Sequence, residues 1–140
     1  MSIELIQGDC LVEMKRLENK KFDLIIADLP YGTTSCKWDS VIPLEDYILV
    51  GKNKLNKEDY KLFGLLSNMS LDEIMTSWEE KSQLGLWSYY RKLLKEDGVI
   101  VLFGQEPFSS KVRMSNIDWY RYDWVWKKEK PSNFQLMNYQ

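Results

Sequence analysis

An α/β fold, a parallel sheet with flanking helices, is predicted by three features of the 140-residue sequence. Two short apolar runs, residues 22–27 and 99–103, have strand length and lack the spacing of an amphipathic helix. Helix-period segments stand between and after them, at 86–95 and 108–116. Finally, Asp97-Gly98 punctuates the passage from helix into the second run. Continuous apolar runs of this kind belong to strands covered on both faces, as in parallel sheets. Strand, helix, strand repetition is the pattern that builds such a sheet.

In chain order, residues 3–7 read as a short strand and residues 11–17 as an amphipathic helix, with Asp9 well placed as a helix N-cap. Residues 22–27 form the strand that delivers Asp28. A segment at about 47–85, rich in Lys, Asn, Glu and Asp, reads as a helical insertion, either a peripheral decoration or an element near the substrate. Within it, Ser70-Leu71-Asp72-Glu73 has the form of a capping box and predicts a helix over 71–81. The helix at 86–95 leads to the strand at 99–103. Pro107 then stands where a first helical position is tolerant of proline, before the helix at 108–116. Alternation over 120–126 predicts a last, half-buried strand.

Composition bounds the function classes. Hydrophobic residues make up 44% and charged residues 29%, enough to bury a core, and no apolar run is long enough to span a membrane. With no histidine, the common triads and the usual neutral-pH base are excluded, and a transition-metal centre is not expected. Cys10 and Cys36 have neither a disulfide framework nor paired zinc-ligand spacing, and read as reduced, structural cysteines. The net charge of -2 is poorly suited to a polyanion, but its distribution is uneven. Between 111 and 130, six basic residues, including Lys127, Lys128 and Lys130, face three acidic ones and are interleaved with Trp119, Tyr120, Tyr122, Trp124 and Trp126. Such a mixture suits phosphate contact and base stacking, or a strand with one solvated face.

Asp28-Leu29-Pro30-Tyr31-Gly32 closes the strand at 22–27. In open α/β sheets the carboxyl ends of strands face the ligand crevice. Pro30 fixes its own φ and pushes Leu29 toward extended backbone, so the Asp28 carboxylate and the Leu29 carbonyl are aimed without a flexible loop. Two converging acceptors suit an exocyclic amine, and Tyr31 offers a flat face for a heterocycle. Ordinary turn chemistry accounts for the same residues: Asp opens a turn, Pro fixes it and Gly permits positive φ.

The chain resembles the DNA amino-methyltransferases, whose tetrad is usually Asp-Pro-Pro-Tyr and differs here only at Leu29. Further segments agree in the same order: Ile6-Gln7-Gly8-Asp9-Cys10, Thr34-Ser35-Cys36-Lys37-Trp38-Asp39, Val41-Ile42-Pro43-Leu44, Gly98-Val99-Ile100-Val101-Leu102-Phe103-Gly104, Gln105-Glu106-Pro107-Phe108-Ser109-Ser110 and Arg121-Tyr122-Asp123-Trp124-Val125-Trp126. The resemblance implies transfer of a methyl group from S-adenosylmethionine to the amine of a flipped DNA base, adenine N6 before cytosine N4, in the setting of restriction-modification. It implies catalytic roles for Asp28, Leu29, Pro30 and Tyr31, and cofactor contacts from Asp9, Cys10 and Asp28. Substrate contacts fall to Tyr31, Gly32, Lys37, Trp38, Lys127 and Lys128. Lys37, Trp38 and Asp39 lie in a loop placed to close over a flipped base; otherwise Trp38 is a plug and the charges are solvated. Gln105, Glu106, Pro107 and Phe108 stand at a strand end, where they line the crevice or simply form a turn.

The family's glycine-rich Phe-X-Gly-X-Gly cofactor turn does not occur in the sequence. The implied architecture is therefore an incomplete Rossmann-like methyltransferase sheet, the catalytic half of the subgroup in which that half comes first. A cytoplasmic protein, bacterial or phage-encoded, follows from the same resemblance. Three alternatives stay open: a truncated, inactive fragment that binds nucleic acid or a partner, pairing as a homodimer through an exposed sheet edge; RNA or protein glutamine methylation; and a generic nucleotide-binding domain, for which no phosphate-cradling glycine loop is present.

Overall fold

A computed structural model describes residues 3–37, 39–127 and 129. Its helices are α1 (Cys10–Arg16), α2 (Lys57–Leu66), α3 (Leu71–Lys81), α4 (Leu86–Leu93) and α5 (Phe108–Ser115). The strands are β1 (Phe22–Asp28), β2 (Ile48–Val50), β3 (Asn53–Leu55) and β4 (Leu94–Phe103), and a 3-10 turn follows at Ile117–Trp119. The result is a mixed α/β chain with a small parallel sheet and flanking helices.

β1 and β4 pair in parallel, with Leu24 opposite Val99, Ile26 opposite Val101 and Asp28 opposite Phe103. Side chains alternate between the two faces of a strand, so Ile25, Ala27, Ile100 and Leu102 share the face that packs on the core of Leu29, Leu44, Leu86, Tyr90 and Phe108. The opposite face is open: Leu24, Ile26, Val99 and Phe103 are exposed. Expected burial on both faces is thus corrected to burial on one.

Residues 47–85 build a second core. β2 and β3 form a hairpin, and α2 and α3 pack on it through Ile48, Tyr60, Ile74 and Trp78. The predicted α3 is present with a complete capping box: the Ser70 hydroxyl accepts from the Glu73 N–H, and the Glu73 carboxylate accepts from the Ser70 N–H. A bridge between Tyr47 and Gln83 joins the two ends of the segment. The first core meets it at Gly85, whose N–H donates to Asp46 at 2.8 Å. A methyl group there would lie 2.1 Å from the Glu45 carbonyl oxygen, so only glycine fits that approach.

Three predicted elements differ. Residues 3–7 form no strand: no described strand pairs with the second edge of β1, and Ile3 and Leu5 are almost wholly exposed. Helix α4 ends at Leu93 rather than 95, because Leu94 adopts extended backbone and pairs with Phe22. Pairing with the sheet overrides the helical preference of two residues, and Asp97-Gly98 falls in a bulge of β4 instead of capping a helix. Residues 120–126 pair with no described strand and are all exposed, so the half-buried strand is not formed.

Candidate functional site

The tetrad lies at the carboxyl end of β1, beside the end of β4. Its four side chains divide sharply. Asp28 is exposed, Leu29 is buried in the first core, and Pro30 and Tyr31 are half-buried. Leu29 therefore anchors the bend by burying its side chain in the first core, a role beyond that of its carbonyl. Among the described residues, no turn or side-chain hydrogen bond reaches that carbonyl.

Tyr31 is held on two sides. Its hydroxyl donates to Asp28 Oδ1 at 2.8 Å, and its ring lies 5.1 Å from the Phe108 ring, tilted by 33°. Phe108 is buried at the start of α5, so it backs the tyrosine as a fixed wall. Partial burial, then the hydrogen bond to the neighbouring carboxylate, push the Tyr31 phenol up to about 12. The phenol thus remains a neutral donor at physiological pH. Phe108 carried no separate role in the sequence reading, and its signal there was an aromatic side chain directly after Pro107 at a strand-to-helix turn.

The loop after the tetrad is organised by Asp39. Its Oδ1 accepts from the Gly32 N–H at 2.8 Å, and its Oδ2 accepts from the N–H groups of Thr33 at 2.9 Å and Thr34 at 2.7 Å. Asp39 is buried, which rules out the solvated alternative for this carboxylate. These amides, the Gly32 one first, hold its carboxyl below the ordinary carboxylate range. Gly32 has φ +70°, and a side chain there would meet Val41 Cγ2 at 2.7 Å, so both conformation and space require glycine. Lys37 is exposed in this loop. Trp38 lies outside the described residues.

Other predicted positions have local surroundings of their own. Asp9 is the N-cap of α1, its Oδ1 accepting from Leu11 and Val12. Cys10 and Cys36 are exposed rather than structural. Desolvation, then the Asp9 charge, push the Cys10 thiol up, away from thiolate chemistry. Gln105, Glu106 and Pro107 are exposed at the end of β4. Glu106 is committed to Arg113 and Ser110. Lys127 is exposed on the unpaired segment, whereas Lys128 and Lys130 lie outside the described residues. Among the described residues, no three Cys, Asp or Glu side chains converge as a metal site.

Two cavities lie between the insertion and helices α4 and α5. One, of about 620 Å³, is bordered by Trp78, Trp87 and Arg91; the other, of about 500 Å³, by Tyr47, Lys54 and Lys111. Neither includes the tetrad, Asp9 or Cys10. At the tetrad the Asp28 carboxylate is exposed and the Tyr31 ring half-buried.

No protein-family model matches the chain, and no solved structure matches it.

Proposed function

We propose that this chain carries the base-binding part of an S-adenosylmethionine-dependent DNA amino-methyltransferase, with adenine N6 as the first target, on a Rossmann-like sheet of which β1 and β4 are two strands. The carrying observation is the coupling of an exposed Asp28 carboxylate to a Tyr31 ring fixed by that carboxylate and by Phe108. S-adenosylmethionine would supply the methyl group. The chain's own residues bind and orient the acceptor base.

A base leaving the duplex costs a few kcal/mol, and stacking on Tyr31 offsets part of that cost. Tyr31 occupies Asp28 Oδ1, so Oδ2 and the Leu29 carbonyl remain to accept the two amine hydrogens. Those bonds would draw the nitrogen lone pair out of ring conjugation and direct it away from the protein surface. Removing one oriented group of this type costs about 3 kcal/mol in barrier, roughly a hundredfold in rate.

The test is to incubate DNA with the chain and S-adenosylmethionine, digest it to nucleosides and weigh them. N6-methyladenine that disappears with Asp28→Ala is the expected result; modification unchanged by Asp28→Ala would remove Asp28 from the chemistry. A second function, a partner-binding module without transfer, is favoured by one observation, the open apolar face of Leu24, Ile26, Val99 and Phe103. Unmodified DNA, with no heat on titration with millimolar S-adenosylmethionine, would support that alternative.

A further inference from the structure

We infer that Asp39 is a positioning residue whose carboxylate, by gathering the amides of residues 32–34, sets the orientation of Tyr31 against Asp28; its relevance to a substrate rests on the proposed base clamp. Three successive N–H groups converging on one point form a concavity that binds an anion. Here the anion is supplied from within the same loop, with all three bonds between 2.7 and 2.9 Å. The first belongs to Gly32, which is joined directly to Tyr31, so the contact acts one peptide away from the ring it positions.

The rest of the loop has few other ties. Asp39 N–H donates to the Cys36 carbonyl at 3.0 Å, and Cys36 N–H reaches the Thr34 hydroxyl at 3.4 Å. Thr33, Thr34, Ser35, Cys36 and Lys37 are all exposed, so no apolar burial fixes them. Upstream, the bend is fixed by Leu29 in the core; downstream, Val41 packs against the same core. Between those anchors, the buried carboxylate is the link that ties the chain back onto the residue following Tyr31. Without it, Gly32 has the freest backbone in the segment, and the Tyr31 hydroxyl loses its fixed approach to Asp28 Oδ1.

The experiment reads Tyr31 directly and needs no substrate. In the full 140-residue chain, the tyrosine phenols are titrated by carbon NMR in the unsubstituted protein, Asp39→Asn and Asp39→Ala. Tyr90, also pushed up to about 12 but by burial in the first core, is the internal reference. The expected result is that Tyr31 titrates at lower pH in both variants, toward its ordinary value, while Tyr90 does not move. Asp39→Glu, which keeps the charge, should restore part of the Tyr31 shift. Tyr31 unmoved in both variants would overturn the positioning role; so would Tyr31 and Tyr90 moving together, which would mark a general loss of structure. Adenine-containing single strands form the separate arm. If they fail to bind the unsubstituted chain while Tyr31 alone responds to Asp39, the base clamp fails and the positioning role stands.

Discussion

Replacing Tyr31 by phenylalanine separates the two jobs of its side chain. The ring and its contact with Phe108 remain, whereas the hydroxyl no longer occupies Asp28 Oδ1. Base stacking should survive in Tyr31→Phe and fall in Tyr31→Ala by about 1–3 kcal/mol per base, measured by titrating single-stranded oligonucleotides. The phenol also has a pH signature. Its pKa is raised in the folded chain, so its contribution is whole below the ordinary value of 10 and is lost as pH rises through about 12. The sign is opposite at Asp39, whose carboxyl is held below 3.8. The anchor of residues 32–34 is complete above that value and released as pH falls through the lower folded one, a transition that amide NMR should show and that Asp39→Asn should abolish. Gly32→Ala combines a left-handed φ with a clash at Val41 and should destabilise the chain by roughly 1–3 kcal/mol, read as a lower melting temperature.

Among the elements, α3 offers the cleanest local test. Ser70→Ala removes the hydroxyl half of the capping box and should cost about 1 kcal/mol in thermal unfolding. That helix was legible because its signal is local: four consecutive residues state where it begins. β1 was legible for a similar reason, as a short apolar run ending at Asp28. The elements that differ all depend on a partner elsewhere in the chain. Residues 3–7 and 120–126 have strand character without an adjacent strand to complete them. The end of α4 is decided by Phe22, some seventy residues earlier, and β2 and α2 lay unread inside the insertion because Ile48 and Tyr60 gain their burial from Ile74 and Trp78. At the site, the tetrad was visible as a motif. The anchoring by Asp39 and the backing by Phe108 were not, since neither a nest of amides nor a ring-on-ring contact has a fixed sequence spacing.

Across the whole molecule, two cores are joined by a narrow contact at Gly85, and one face of the sheet is uncovered. No described helix is long and apolar enough to cross a membrane. The uncovered face should bind a hydrophobic dye, and a paired change, Ile26→Lys with Val99→Lys, should lower that fluorescence while leaving Tyr31 and its titration in place. Retained fluorescence in the double variant would place the apolar surface elsewhere. The tetrad and the open sheet face are distinct features of one small sheet, since Asp28 and Tyr31 sit at a strand end and the apolar patch lies along its length.

In the proposed function, Asp28 accepts hydrogens from an amine on a stacked base, and that contact can be isolated. A double-mutant cycle tests it most directly, pairing Asp28→Ala with replacement of one adenine by unsubstituted purine in a short single strand, and measuring all four affinities by calorimetry. Each change alone should weaken binding and the second should add little once the first is made, with a coupling of about 1.5–3 kcal/mol for a hydrogen bond to a charged group. Strictly additive losses, or no loss when the amine is removed, would contradict it.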